Sequence, residues 1–532
     1  MRVLIFHGYL LDGTGSNVYN ARLAAALVGL GHDVHLLSQD RHPERQSFVD
    51  AVGDWDGAAL AVRELRRVPV EPASGARRGR CTVYRPNIGG LLPVYVADRY
   101  EGIEARTFAQ CGEPEIARYI DANVAAVSEL LELVRPHVAL ANHLVMGPVI
   151  LARALKGEVP YAVKVHGSAL EYTVKAQPER FLAPAREGLA GASGVLVGSH
   201  HTAASLWAAL GEEDLVKRTR LGPPGVDVAR FAPRNPAPAA VGVGALVARL
   251  RAGGAGEREQ GDASVFARDV LASAAALERI DPDRDVLVAF VGKLIVSKGV
   301  DLLIAAWPLV LERVAHARLV VVGFGAYRDG LERLCAALTA GDIERAREIA
   351  QAGSALEGEL SQPRPLRHLL AFLDGLDGRE RERYLLAAGG LEQRVLLTGR
   401  LEHGELADLL PACEAAVVPS TFPEAFGMVA AEAAACGAFP ISAAHSGLAE
   451  VSAVLARAIP APAAEWLSFV VDDDAVRALA RSLIGWLAAD PQLRARTRAG
   501  LVETVRERWS WEGVARGVIA AAKGELQALA KA

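Results

Sequence analysis

The chain has 532 residues, more than a single hydrophobic core usually serves, so two domains are expected. Apolar residues make up 51% and charged residues 23%, an ordinary globular composition that excludes disorder as the overall state. Lys and Arg number 58 against 63 Asp and Glu, and the resulting net charge of -5 argues against a nucleic-acid coat protein, which would be basic. The five cysteines, Cys81, Cys111, Cys335, Cys413 and Cys436, form no C-x-x-C pair, so buried reduced thiols of a cytoplasmic protein are expected. No stretch reaches the roughly 18 apolar residues of a membrane span. The opening MRVLIFHGYL reads as a buried strand rather than a signal peptide, because Gly8 stops the apolar run early.

In chain order, residues 3–6 form a short apolar strand. The polar loop Asp12-Gly13-Thr14-Gly15-Ser16-Asn17 follows it. A helix then carries Leu23, Leu27 and Leu30 on one face, Gly31 caps it, and residues 34–37 make a second strand. That is a βαβ unit and implies a parallel sheet. Further strands fit 137–142, 162–166 and 194–198, with a helix over 116–133. The first domain closes near Phe231-Ala232-Pro233, giving 1–234. Residues 235–282 are rich in Ala, Gly, Arg and Glu and read as an inserted linker with one helix over 265–279. A second α/β series occupies 283–510: strands at 286–291 and 319–322 with a helix over 300–314 between them, a helix-rich insertion at about 339–390, and strands at 395–397, 415–418 and 438–442. A final helix within 511–532 is expected to return to the first domain. The fold class is α/β, with two Rossmann-like domains facing a central cleft. Open parallel sheets bind ligands beyond the carboxyl ends of their strands, so the loops after strands are the places to look for chemistry.

The most telling such loop runs from Pro419 to Gly437. Pro423 and Gly427 make its first part a turn, and 428–436 is a strong helix sequence capped by Gly437. Glu424 then lies in the loop, and Glu432 in the second turn of the helix, leaning back toward the helix start. Free N–H groups at a helix N-terminus favour a phosphate, and carboxylates accept paired hydrogen bonds from sugar and ribose hydroxyls. By itself the pair is equally compatible with a bland reading, in which Glu424 is a helix-start residue and Glu432 an ordinary exposed glutamate. Lys293 and Lys298 weigh against the bland reading. They sit in a loop just after the 286–291 strand, between Gly292 and Gly299, where two cations could neutralise a diphosphate leaving group.

With these motifs in hand, the chain resembles the GT-B glycosyltransferases of family 4, the retaining E-x7-E type. The resemblance rests on the glycine-rich loop at 13–15, Pro223-Pro-Gly-Val-Asp227, the Gly292–Gly299 loop and Val322-Gly-Phe-Gly325. It rests further on Leu397-Thr-Gly399, the Glu424/Glu432 segment and Ser446-Gly-Leu-Ala-Glu450. It covers most of the chain outside the two insertions. It implies that Glu432 binds the ribose, Glu424 holds donor-sugar hydroxyls, and Lys293 and Lys298 hold the diphosphate. It further implies that the backbone of Phe426, Gly427 and Met428 meets sugar and phosphate, and that Gly13 to Gly15 let a first-domain loop approach the phosphates. His166, in Lys164-Val-His-Gly-Ser168, matches the family's histidine beside the reacting sugar. Two departures stand out: Lys293 replaces a common arginine and loses its bidentate fork, and Ser446-Gly447 replaces Gly-Gly.

The expected reaction transfers a hexose from a nucleoside diphosphate sugar to an acceptor hydroxyl, a lipid, metabolite or glycan, with retention. No side chain is placed as an enzymatic nucleophile, so Glu424, His166 and Lys298 act by positioning and charge in a front-face attack. No cofactor is expected, and with two lysines at the diphosphate no metal is required. Asp54-Trp-Asp56 and Asp281-Pro-Asp283 read as polar loops, and Asp472-Asp-Asp474 as a helix start, rather than metal ligands. His200-His201 reads as a helix N-terminus. The basic run Arg63, Arg66, Arg67, Arg77, Arg78 and Arg80 reads as a solvated loop, the alternative being an anionic acceptor or peripheral contact with the inner face of a membrane. The apolar and aromatic stretch from Gly89 to Tyr100 is assigned to the acceptor side. Competing readings are a sugar-nucleotide epimerase on the same fold and a non-catalytic binding module. A Rossmann dehydrogenase is disfavoured, since Gly13-Thr-Gly15 lacks the third glycine.

Overall fold

A computed structural model describes residues 1–56, 59–65, 78–95, 103–234, 236–254, 268–281, 283–358 and 363–532. The chain divides into two compact units, Met1–Gly225 with Trp509–Ala532, and Val226–Arg508.

The strands of the first unit are β1 (Arg2–Phe6), β2 (Asp33–Leu37), β3 (Ala51–Asp56), β4 (Ala59–Glu64), β5 (Cys81–Arg85), β6 (Leu91–Val94), β7 (Glu104–Thr107), β8 (Val138–Asn142), β9 (Tyr161–Lys164), β10 (Gly194–Val197) and β11 (Thr219–Leu221). Its main sheet runs in the order β11-β10-β9-β8-β1-β2-β5-β3-β4, while β6 and β7 pair separately. Neighbours in the main sheet are parallel apart from the antiparallel β3–β4 hairpin. The central strands are apolar on both faces, as a sheet covered on both sides requires. Leu4 and Phe6 of β1 enter one core and Val3 and Ile5 the other. The helix after β1, Gly15–Gly29, starts at the second glycine of the loop, where Gly13 takes φ +96. The C-terminal helix Trp511–Lys523 packs against that helix and against β8, β9 and β10, adding Trp511, Ala515, Val518 and Ala521 to the second core.

In the second unit the strands are β12 (Val286–Val291), β13 (Ala317–Val322), β14 (Val395–Gly399), β15 (Ala415–Val418), β16 (Phe439–Ala443) and β17 (Ser468–Phe469). They form one parallel sheet in the order β14-β13-β12-β15-β16-β17. Its core is anchored by two fully buried indoles. Trp307 lies in the helix Val300–Arg313, and Trp486 stacks 4.2 Å from Phe439 while donating to the Glu414 carbonyl at 2.9 Å. Asp285 is held by Arg318 and Arg394 at 2.6 and 3.1 Å. The segment read as a helical insertion contains the helices Ile343–Ala352, Arg367–Asp374 and Gly378–Ala388. It is tied to the core by Tyr384, whose hydroxyl donates to Ala305 O at 3.0 Å. Among the described residues, no helix is long and apolar enough to cross a membrane.

Several expectations need correction. The stretch 235–282 is not a tether where it is described. It forms the helices Pro236–Gly254 and Val270–Leu277, which pack on each other and within the second unit. Val243, Leu246 and Leu250 are buried at helical spacing, and Arg249 and Arg234 both bind Asp408. Alanine and glycine suggest flexibility by composition, but three well-spaced apolar residues suffice to dock a helix. The expected helix over 265–279 is shorter, and its first residues lie outside those described. Asp54 is not in a loop but in β3, paired with Arg85 at 2.6 Å. Of the basic run, Arg63 is in β4, Arg78 pairs with Asp50 at 3.2 Å and Arg80 with Glu64 at 2.5 Å, while Arg66, Arg67 and Arg77 lie outside the described residues. His200 opens the helix His200–Leu210, capped by Ser199, and Asp474 is the N-cap of Ala475–Leu487.

The C-terminal helix is part of the first unit's core, so removing its anchor should unfold that unit. Trp511 abuts Gly225, where a Cβ would approach its ring to 2.7 Å, and meets Tyr19 edge-on at 5.5 Å. Trp511→Ala is expected to destabilise the first unit by about 3–5 kcal/mol, read as a lower urea midpoint for its transition.

Candidate functional site

In the second unit, the chain leaves β12 for β13 and β14 on one side, then returns as β15 on the other flank of β12. The loops after β12 and β15 therefore diverge from one point, the position where open α/β sheets accept ligands. Lys293 and Lys298 follow β12, and Glu424 follows β15. The loops approach so closely that a Cβ on Gly299, at φ +65, would lie 2.1 Å from Pro419 O. Thr421 N–H donates to Ser297 O at 2.9 Å and ties them together.

Across this junction Lys298 Nζ donates to Glu424 Oε1, and Ser420 Oγ donates to the same oxygen at 2.6 Å. Burial would raise the Glu424 pKa, but Lys298, Ser420 and His445 outweigh it and hold the carboxyl below the usual range. The backbone of Glu424 is fixed as well. Its N–H donates to Ser446 Oγ at 2.9 Å, and its carbonyl accepts from Gly447 N–H at 2.9 Å. His445 Nε2 lies 2.8 Å from the Ser420 carbonyl and must donate, so Nδ1, 3.1 Å from Ser446 Oγ, accepts from that hydroxyl. The serine of Ser446-Gly447 thus has a local purpose: at φ +52 it supplies the hydroxyl that holds Glu424. Gly447 cannot be replaced as readily, because a Cβ there would come within 2.6 Å of Phe426 N.

Gly427, at φ +129 and with Leu448 2.7 Å from where a Cβ would be, precedes the helix Met428–Ala435. Phe426 is buried against this turn. Glu432, in the second turn, is only 4% exposed and accepts from His403 Nε2 at 2.7 Å. His403 opens the helix His403–Leu409 after β14, and its ring lies 4.8 Å from Phe231. The structure therefore joins Lys298 to Glu424 and places Glu432 with a different partner. Lys293 is set over the Phe324 ring at 6.0 Å, a ring it shares with Arg400. His403 and His445 were missed in the sequence. Neither has a motif of its own, although each stands next to an expected segment, Leu397-Thr-Gly399 and Ser446-Gly447.

In the first unit the equivalent reversal lies at β1, between β2 and β8. Here His7, His143 and His166 collect with Tyr9 and Tyr95: His143 lies 5.9 Å from His7, 4.9 Å from His166 and 4.6 Å from Tyr95. His7 Nδ1 accepts from Asn20 at 3.0 Å, while Nε2 donates to Leu10 O and Asn17 Oδ1 at 2.9 and 3.1 Å. Asn17 in turn donates to Asp12 O at 2.6 Å, which fixes the loop entering Gly13 and Gly15. His166 Nε2 donates to Asn142 Oδ1 at 3.0 Å, the amide being oriented by its own bond to Phe6 O at 3.3 Å. Both ring nitrogens of His143 are buried without a hydrogen-bond partner among the described residues. Burial lowers the pKa of His7 to about 4, partly offset by its hydrogen bonds. It puts His143 and His166 well below the usual value, with neighbouring imidazoles and Lys164 adding to the shift of His166. Burial also lowers Lys164 to about 7, although its Nζ donates to Gly222 O at 2.6 Å. Tyr95 lies on the stretch assigned to the acceptor side and donates to Val145 O, while 96–100 lie outside the described residues.

Comparison with known proteins fits this geometry. Residues 14–222 match the family described as "Glycosyl transferase 4-like domain", and residues 367–499 match "Glycosyl transferases group 1". A D-inositol 3-phosphate glycosyltransferase of Segniliparus rotundus is 29% identical over 267 residues, 50% of this chain and 46% of the relative. The chain thus spans less than half the length of the curated relatives it matches, 46% of one and 30% of another. Among solved structures, sucrose-phosphate synthase from Thermosynechococcus elongatus is similar in fold with a TM-score of 0.55 at 18% identity, over 99% of both chains. The Anabaena protein HepE, in complex with UDP and glucose, reaches 0.53 at 15% identity over 98% of this chain and 99% of its own. The fold is therefore that of the GT-B transferases. Both matched segments belong to glycosyltransferase families, and the chain carries this domain pair on a GT-B fold.

The buried imidazoles give the first unit a defined pH response. Their folded pKa values lie below the unfolded value near 6.5, so their stability contribution is complete above pH 6.5 and is lost as pH falls below it, down to about 4 for His7. Lys164 acts in the same direction between about 10.5 and 7. In the second unit Asp301, raised by burial to about 7, acts in the opposite direction. Amide exchange protection in β1, β8 and β9, corrected for the intrinsic rate, should fall between pH 7.5 and 5, by up to about 1.4 kcal/mol per pH unit for each imidazole. Constant protection would contradict neutral burial.

Proposed function

We propose that this chain transfers a hexose from a nucleoside diphosphate sugar to an acceptor hydroxyl, with retention of anomeric configuration. The observation that carries the reading is the Lys298–Glu424 pair at the carboxyl ends of β12 and β15. An ion pair at a ligand-binding position, partly open to solvent, is a pair whose members can exchange partners. A bound donor brings a diphosphate for the lysine and hydroxyl donors for the carboxylate. Lys298 and Lys293 then neutralise the leaving diphosphate, whose charge grows in the transition state, so the interaction lowers the barrier rather than only tightening binding. The start of the helix Met428–Ala435 adds N–H groups and a favourable dipole for the same phosphates.

Glu432 binds the ribose hydroxyls in this scheme, and His403 fixes its carboxylate for the purpose. His166 is a neutral imidazole, with Nε2 committed to Asn142 and Nδ1 left as an acceptor. It orients the sugar, and the departing phosphate oxygen helps take the acceptor proton. Charge neutralisation by lysines makes a metal dispensable. The name of the Segniliparus relative puts a small phosphorylated metabolite first among acceptors to try, before lipids and glycans. We assign the activity to the cytoplasm, where nucleotide sugars are the available donors.

A thermal-shift screen of UDP, GDP, ADP and their sugars identifies the donor, since a ligand of the native state raises its stability. With that donor, Lys298→Ala and Glu432→Ala should each lower kcat by about 100-fold or more while leaving the unfolding midpoint within a few degrees. The product formed from an α-linked donor should be the α-anomer by NMR coupling constants. Unchanged turnover in both variants would remove the assignment.

A further inference from the structure

The helical segment 339–390 has no evident role in the sequence, yet one of its side chains reaches the lysine loop. After the helix Ile343–Ala352 the chain forms a short turn, Gly353–Glu357. From there Glu357 Oε1 accepts the backbone N–H of Val296 at 2.6 Å. Val296 is the first residue of the 3-10 turn Val296–Lys298, the turn that delivers Lys298.

The turn bearing Glu357 is itself rigidly built. Gly353 takes φ +52, and a Cβ there would lie 2.0 Å from Arg364 O. Ser354 N–H donates to that carbonyl at 2.9 Å, and Arg364 N–H returns a bond to Ser354 Oγ at 2.7 Å. Ile343, Ala346 and Ile349 bury the preceding helix. The lysine loop in turn is held from two other sides. Leu294 N–H donates to Phe324 O at 2.7 Å on the β13 side, and Ser297 O accepts from Thr421 on the β15 side. Neither contact fixes the N-terminal end of the 3-10 turn, whose first N–H has no partner within the turn. Glu357 supplies that partner from outside, as a charge-assisted bond stronger than a neutral one.

We propose that Glu357 is a positioning residue for donor binding: it holds the Val296–Lys298 turn wound, so that Lys298 is presented to the diphosphate. The helical segment 339–390 is then a buttress for the phosphate loop. The inference rests on the donor-site reading given above and adds a specific residue to it. Glu357 does not touch the donor. A carboxylate so close to a diphosphate loop would oppose binding by charge alone, so a purely electrostatic role predicts that its removal tightens binding. A positioning role predicts that removal weakens it.

The test is calorimetric titration of the full chain with UDP, GDP and ADP, each beside its monophosphate. For the diphosphate that the wild type binds, Glu357→Ala should lower the diphosphate-to-monophosphate affinity ratio about tenfold. Glu357→Gln keeps an acceptor oxygen at the same reach and should restore the ratio to within about threefold. The ratio cancels any general loss of folded protein. An unchanged or increased ratio in Glu357→Ala overturns the proposal, as does a Gln variant as weak as the Ala variant. A wild-type chain that binds none of the three diphosphates overturns the donor-site reading itself, and with it the role of Glu357.

Discussion

The junction of the loops after β12 and β15 is the constraint from which the geometry around Lys298 and Glu424 follows. A parallel sheet that reverses direction must bring those two loops out at the same place. Here they are pressed together until only a glycine fits at 299, against Pro419 O. That approach sets Lys298 within reach of Glu424. The two side chains remain 30% and 25% exposed, so solvent screening makes the pair weaker than a fully buried one. Weakness suits a binding site, because a ligand can replace either partner without leaving a buried charge uncompensated. The surrounding hydrogen bonds, from Ser420, Ser446 and Gly447, all act on Glu424 and spare the lysine. The carboxylate is therefore the fixed member and Lys298 the adjustable one.

Glu432 represents a different solution to the same electrostatic problem. It is nearly buried, and a carboxylate at that depth needs a committed partner. His403 provides an N–H from a separate element, the helix that follows β14. The two glutamates, eight residues apart in sequence, thus belong to distinct hydrogen-bonding systems. Glu424 is tied to the β16 loop by Ser446 and Gly447, and Glu432 to the β14 side by His403. Together the two systems draw on four loops of one sheet, those after β12, β14, β15 and β16.

Much of this was legible in the sequence, and the failures have physical causes. Central strands such as β12 and β15 announce themselves, because burial on both faces writes an unbroken apolar run, Val286 to Val291 or Ala415 to Val418. Edge strands do not. In the edge strand β4 the residues from Ala59 to Glu64 are mostly exposed, and its hairpin partner β3 carries Asp54, so both look like loop. The stretch 235–282 misled through composition: its alanines and glycines masked Val243, Leu246 and Leu250, which pack the helix down. The lysines and glutamates of the site were found by motif and by resemblance. Their partners were not, because His403, His445 and Glu357 act across the sheet, and nothing local marks a residue whose role is to hold another.

The two units also differ in how they treat polar groups at their points of strand reversal. In the second, Lys298 and its neighbours hold the Glu424 carboxyl below the usual range, and the pair is partly exposed. In the first, burial drives three imidazoles to the neutral form and brings even Lys164 down to about 7. The second unit thus presents a lysine–glutamate pair, whereas the first offers neutral donors and acceptors with aromatic walls from Tyr9 and Tyr95. Neutral imidazoles donate and accept hydrogen bonds without adding a net charge to their surroundings. A lysine–glutamate pair and a histidine cluster, so unlike in chemistry, thus both arise at the one topological feature the two sheets have in common.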